Sequence, residues 1–134
     1  MVMSQFLQRC INVECRSEFG LDDRVYTCAQ CGDLLEIART SDIDTSSLRE
    51  VWRQRRTSND ERGRSGVWRF REFLPFDGAV EIVSLGEGNT QLYDAARCAE
   101  FCGLDALQLK HQGNNPTGSF KDTGMTVAVT QARK

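Results

Sequence analysis

The chain has 134 residues, of which 40% are hydrophobic and 27% charged, the composition of an ordinary folded domain rather than of a disordered tail. A formal charge of −2 excludes a general attraction to polyanions, so any role with nucleic acid would have to be local. MVMSQFLQRC has no apolar run of signal-peptide length and no later stretch approaches a membrane span, so a cytoplasmic protein is expected. Six cysteines in that compartment read as reduced thiols or metal ligands rather than as a disulfide framework.

Residues 1–40 contain CINVECRSEFGLDDRVYTCAQCGDLLEI, two cysteine pairs around a stretch at Val25 and Tyr26 that reads as a strand. Cys10 and Cys15 are separated by four residues, Cys28 and Cys31 by two, and Gly32 supplies a permissive backbone after the second pair. Two such knuckles can gather four thiolates around one tetrahedral ion, a zinc-ribbon-like arrangement in which structural zinc supplies stability that so small a segment lacks. The alternative is a metal-free segment whose cysteines are small buried groups.

Residues 41–73 form an arginine-rich connector, helical around SSLREVWRQRR and broken at NDERGRSG. Eight arginines lie between Arg49 and Arg71, interleaved with Trp52, Trp68 and Phe70. That mixture suits a nucleic-acid surface, and it equally suits arginine stems that cover apolar surface and pair with acids.

From residue 74 to 134 the elements are short: an extended AVEIVSL, a glycine-rich turn GEGNT, a helix over LYDAARCAEF, a strand at ALQLK, and a final helix in SFKDTGMTVAVTQARK. Alternating strand and helix favours an α/β arrangement. Cys98 and Cys102, one helical turn apart beside Ala95, Ala99 and Phe101, read as buried structural thiols.

Lys121 stands between the polar loop GNNPTGS and an apolar helix. The phosphate-binding P-loop pattern fails, because Phe120 and Asp122 flank the lysine where glycine and a hydroxyl residue are required. The other chemistry for a lysine so placed is that of an amine nucleophile, favoured by partial burial beside Phe120 and by a helix N-terminus. Ser119 with Asp122 would form a capping-box-like start, and Met125, Val129 and Ala132, with Ala128 beside them, would anchor the helix in a core. A surface lysine at a helix start remains an equal reading of these residues.

NPTGSFKDTGM closely resembles the lysine segment of the fold-type II pyridoxal-phosphate enzymes, and SLGEGNTQLY, Ser84 to Tyr93, resembles a second segment of that group. GSFKDTGMTVAVTQ, the YTCxxCGxLLE pattern of Tyr26 to Glu36 and SGVWRFREFLP together resemble the threonine synthase family; Thr123 stands where many relatives have arginine. The resemblance implies a fold-type II, tryptophan synthase β-like domain beginning near residue 74, behind the zinc-ribbon-like front. It implies that Lys121 holds pyridoxal 5'-phosphate through its amine, with Ser119 and Phe120 beside the cofactor. Glu87, Gly88, Asn89, Thr90 and Thr117 would form the substrate loop, with Asn115 near it. The implied substrate is O-phospho-L-homoserine, converted with water to L-threonine and phosphate, and the implied assembly is a homodimer.

Only 13 residues follow Lys121, so the family's glycine-rich phosphate cradle and most of its parallel sheet would lie downstream. The chain is therefore expected to be the front portion of an enzyme, inactive by itself, with Lys121 exposed. Another fold-type II enzyme, such as a threonine dehydratase, and a zinc-ribbon nucleic-acid-binding module are the alternatives.

Overall fold

The computed structural model describes residues 5–76 and 80–134, and its contacts divide the chain into two units. One comprises Met1–Ser46 with Pro75–Ala79, the other Ser47–Leu74 with Val80–Lys134. Among the described residues no helix is long and apolar enough to cross a membrane.

The first unit is a three-stranded antiparallel sheet: β1 (Phe6–Cys10) in the centre, flanked by β2 (Glu18–Gly20) and β3 (Leu35–Arg39). Alternate residues of β1, Phe6, Gln8 and Cys10, are buried, as the two-residue period of a strand requires. A buried glutamine needs partners, and the Gln8 amide donates to the carbonyls of Gly20 (2.9 Å) and Asp23 (2.7 Å). The Asp23 carboxylate accepts from the Gly20 N–H at 2.7 Å. These bonds draw residues 20–23 into a closed turn, so the strand expected at Val25 and Tyr26 does not form and Tyr26 is 91% exposed. The third strand comes instead from LEIAR, after the second cysteine pair.

The second unit begins with α1 (Leu48–Arg56), which buries Leu48 and sets the edge of Trp52 against Phe70, ring centroids 5.1 Å apart. The break expected at NDERGRSG contains one helical turn, α2 (Glu61–Arg64). Asp60 caps it, its carboxylate accepting from the N–H groups of Arg62 (3.2 Å) and Gly63 (3.1 Å). A kinked 3-10 segment, Trp68–Phe73, buries Trp68 to 2% exposure. Of the connector's cations, Arg55 pairs with Glu72, Arg53 with Glu50, and Arg62 donates to the Val80 carbonyl. Trp68 is buried and Trp52 and Phe70 are half-buried, as expected for side chains covering a core, while Phe73 is 48% exposed.

The expected AVEIVSL segment runs without a ladder partner in its described residues, 80–85; Ala79 lies outside them. Its backbone finds side chains instead. On α4 (Asp122–Arg133), Thr126 Oγ1 donates to the Val83 carbonyl (2.6 Å) and Thr130 Oγ1 accepts from the Val83 N–H (2.9 Å). Thr126 Oγ1 also accepts from Trp68 Nε1 at 2.8 Å. This corrects the expected buried face: α4 turns Thr126 and Thr130 inward, while Met125 is 52% and Val129 37% exposed. An unpaired extended segment needs donors and acceptors from whatever packs on it, and two threonines one turn apart supply both.

β4 (Leu92–Asp94) pairs antiparallel with β5 (Gln108–Lys110), so the first residues of the expected helix at LYDAARCAEF are strand. The helix, α3, spans Ala96–Cys102 and ends where Gly103 adopts φ 68°, a left-handed stop. Cys98 and Cys102 are exposed, contrary to the expectation of buried thiols, because α3 presents Ala99 as its buried residue.

Candidate functional site

Unit one brings Cys10, Cys15, Cys28 and Cys31 together, all four Sγ atoms within 4.8 Å of one another. Cys10 and Cys31 are 3.4 Å apart and Cys15 and Cys28 3.6 Å apart. A tetrahedral ion with metal–sulfur bonds of about 2.3 Å requires sulfurs roughly 3.8 Å apart, so the cluster has the size of such a centre. The second knuckle closes through Gly32, whose φ of 82° lets its N–H donate to the Cys28 carbonyl at 2.8 Å. The four-residue gap of the first is taken up by Asn12, whose carbonyl accepts from the N–H groups of Cys15 (3.0 Å) and Arg16 (2.9 Å). Asn12 Nδ2 also donates to Asp33 Oδ2 at 2.8 Å, tying the knuckles together.

The thiols are electrically unequal. Burial opposes ionisation of Cys28, but the N–H groups of Cys31 and Gln30 and the neighbouring thiols outweigh it and bring it down to about 6. The Asp33 backbone favours the Cys31 thiolate, yet burial and the three other sulfurs push it up to about 12. Four sulfurs this close cannot all ionise without a cation between them. A divalent ion is what would relieve that repulsion.

Unit two holds a cleft of about 370 Å³ lined by Lys121, Ser119, Thr117 and Asp122 on one side and by Glu87, Leu85 and Val83 on the other, with Met125, Thr126 and Val129 from α4. Lys121 is the residue before α4 and is exposed, as expected of this chain. Phe120 is 65% exposed and does not cover it. Ser119 Oγ accepts from the Lys121 N–H at 3.2 Å, but the Asp122 carboxylate does not complete the box with Ser119. It accepts from Thr117 instead, from the N–H at 2.8 Å and from Oγ1 at 2.5 Å. That closes the loop Thr117–Asp122 on itself and fixes the backbone that carries the lysine.

Glu87 is 2% exposed and its carboxylate is fully engaged: Ser84 Oγ donates to it at 2.9 Å, Ser65 Oγ at 3.2 Å and the Leu85 N–H at 2.8 Å. It thus organises its own turn. The next residue, Gly88, donates its N–H to Asn115 Oδ1 at 2.8 Å, which joins the GEGN turn to the loop leading to Lys121. Asn115 is 4% exposed and its amide in turn donates to the Gln112 carbonyl at 2.9 Å. Asn89 and Thr90 do not line the cleft, and the Thr90 carbonyl accepts from Lys110 Nζ at 2.6 Å. Sequence reading missed Ser65, Trp68, Thr126 and Thr130, because their partners lie 22 to 58 residues away in the chain.

The chain is thus a mixed helix-and-strand protein with a four-sulfur cluster in one unit and a lysine-bearing cleft in the other. No family model matches it. Among curated proteins it is similar over nearly its whole length to threonine synthases. It is 43% identical to that of Methanocaldococcus jannaschii over 96% of this chain and 29% of the relative. The corresponding values are 40%, 90% and 27% for the enzyme of Methanosarcina acetivorans, and 35%, 87% and 23% for the chloroplastic threonine synthase 2 of Arabidopsis thaliana. The chain therefore spans between 23% and 29% of the length of these relatives.

Proposed function

We propose that this chain is the lysine-bearing piece of a fold-type II threonine synthase, with a zinc-ribbon-like segment over residues 1–40, a connector over 41–73 and the catalytic region starting near residue 74. One observation carries the reading. The two segments that resemble the pyridoxal-phosphate enzymes, Ser84 to Tyr93 and Asn115 to Met125, converge in space, so that Lys121, Ser119 and Glu87 line one cleft.

The residues fit the cofactor. No hydrogen bond or ion pair engages Lys121 Nζ among the described residues, so the amine is available to hold pyridoxal phosphate. Bound there, the cofactor would supply the electron sink needed to remove protons from the substrate's amine-bearing carbon and the carbon next to it, and so to expel phosphate. Lys121, once released, is the group able to carry those protons. Thr117 and Ser119 offer hydroxyls to substrate and cofactor, and the Thr117–Asp122 bonds hold both the hydroxyl and the lysine in place. Glu87 shapes the opposite wall, since its carboxylate oxygens are already occupied. In unit one, Cys10, Cys15, Cys28 and Cys31 would hold one zinc ion in a closed structural site with no open position for chemistry.

The substrate on this reading is O-phospho-L-homoserine, and the intact protein is a cytoplasmic homodimer. The test is conversion by the intact gene product. Formation of L-threonine and phosphate in equal amounts supports the reading, and formation of an oxoacid from threonine would instead assign a dehydratase.

A further inference from the structure

The segment Arg64–Arg69 touches the GEGN turn through four hydrogen bonds and one close backbone approach. The Ser65 hydroxyl donates to Glu87 Oε1, as above, while itself accepting from the N–H groups of Val67 and Trp68, both at 3.1 Å. The Gly66 N–H donates to the Glu87 carbonyl at 3.0 Å. Gly66 and Gly88 lie backbone to backbone: a Cβ on Gly88 would stand 2.7 Å from the Gly66 Cα, so neither position has room for a side chain. Asn89, in the left-handed region at φ 52°, has both ends of its amide held. Its Nδ2 donates to the Arg64 carbonyl at 2.7 Å, and its Oδ1 accepts from Arg69 Nη2 at 2.8 Å.

Arg69 is the only charged side chain among these contacts on the connector side. Its backbone is fixed, the carbonyl accepting from Arg55 Nη1 at 2.7 Å, and its guanidinium lies over the Phe70 ring at 5.0 Å. Its Nη1 is buried and has no hydrogen-bond partner among the described residues. A desolvated donor without an acceptor is costly, and the half-buried guanidinium leaves Nη1 in that state while Nη2, at its exposed side, is bonded to Asn89. Asn89 is one residue from Gly88, which is bonded to Asn115, and two from Glu87, which lines the lysine cleft.

The geometry points to Arg69 as a positioning residue for the lysine cleft: through Asn89 it holds Gly88 and Asn89 in the left-handed conformation that places Glu87 and Gly88 against the loop carrying Lys121. The inference rests on the proposed function for its kinetic consequence and on the contacts alone for its structural one. Arg69 does not line the cleft, so it acts without touching substrate.

The test is made on the intact gene product with Arg69→Met, Arg69→Lys and Asn89→Ala. Loss of a charge-assisted hydrogen bond predicts a roughly ten- to hundredfold lower kcat for phosphohomoserine in Arg69→Met. KM should change by less than about threefold, because the substrate's own contacts are retained. Arg69→Lys should restore part of the loss, and Arg69→Met combined with Asn89→Ala should be no worse than Asn89→Ala alone, which loses the bond to the Arg64 carbonyl as well. Amide hydrogen exchange gives the second readout: Gly88 and Leu85 should exchange about tenfold faster or more in Arg69→Met, with the amides of α4 unchanged. Unchanged exchange at Gly88 and Leu85, or additive losses in the double variant, would overturn the inference. A lower melting temperature with kcat and KM intact would overturn it as well. If Arg69→Met does not fold, Asn89→Ala removes that bond together with the one to the Arg64 carbonyl, and unchanged exchange at Gly88 and Leu85 in that variant overturns the inference. If the unmodified protein does not convert phosphohomoserine, the proposed function falls, and the exchange measurement alone decides the role of Arg69.

Discussion

Replacing Thr126 with valine keeps the shape of the side chain and deletes one oxygen. That oxygen accepts from Trp68 Nε1 and donates to the Val83 carbonyl, in a side chain only 6% exposed against a tryptophan only 2% exposed. Valine leaves both partners without this bond while creating no cavity. At about 1–3 kcal/mol for each buried group deprived of its bond, the loss should be roughly 2–6 kcal/mol. Thr126→Ser retains the hydroxyl and removes one methyl, for about 1 kcal/mol. Both tryptophans of the chain, Trp52 and Trp68, lie in the second unit, so urea unfolding followed by tryptophan fluorescence reports on that unit directly. The valine variant should lower the urea midpoint by about 1–2 M and shift the native emission, since Trp68 loses its acceptor. Serine should do much less. A valine variant as stable as the parent, or a serine variant less stable than valine, would show that apolar contact rather than hydrogen bonding holds α4 to residues 80–85.

Lys121→Ala in the intact gene product should abolish cofactor absorbance and threonine formation, and an unaltered spectrum would remove the lysine from the reaction. Protein purified without chelators should contain about one zinc per chain by elemental analysis, and Cys28→Ser should release it and loosen the first unit. In the second unit, burial works against the Glu72 carboxylate, but hydrogen bonds from Arg55 and Trp52 and the Arg55 charge hold it down at about 2. A depressed carboxyl stabilises the fold above its unfolded value of about 4.5 and loses that contribution as the pH falls toward 2. Glu72→Gln should therefore flatten the stability profile between pH 4.5 and 2, on the order of 1–2 kcal/mol after solvent screening, as measured by urea unfolding across that range.

What was legible in the sequence was whatever local spacing dictates. The cysteine knuckles with Gly32, the helix at Leu48–Arg56, the strand at Gln108–Lys110, the turn at Gly86–Gly88 and the helix after Lys121 all follow from contacts within a few residues. What was not legible depended on distant partners. Val25 and Tyr26 have strand-forming side chains, but Gln8, earlier in the chain, occupies the carbonyls of Gly20 and Asp23 and turns the backbone away. Helix α4 carries an apolar stripe at Met125 and Val129, yet the groove it meets is unpaired backbone, and threonine answers that need where methionine cannot. Cys98 and Cys102 look like core residues by composition, and only the packing of Ala99 shows which way α3 faces. Which residues stand near Lys121 was implied by resemblance alone; that Asp122 bonds Thr117, and that Glu87 is fully engaged with serines and a backbone N–H, had no signal in the sequence.

The two threonines of α4 have a mechanical consequence. A helix packed only by apolar contacts can creep along its axis or roll by a fraction of a turn at small cost, because neighbouring side chains are nearly interchangeable. Here the N–H and the carbonyl of one residue, Val83, are each held by a hydroxyl, from Thr130 and Thr126, four residues apart or about 6 Å along the axis. A shift by one residue would present Val127 and Gln131 to Val83 and break both bonds, so α4 is indexed like a toothed rod against a single tooth. Lys121 rides on the end of that rod, five residues before Thr126. Inserting or deleting one residue between Asp122 and Met125 would leave the index intact while moving the lysine by about 1.5 Å and swinging it by about 100° around the axis. How far the amine reaches into the cleft is therefore set by a catch farther along the same helix.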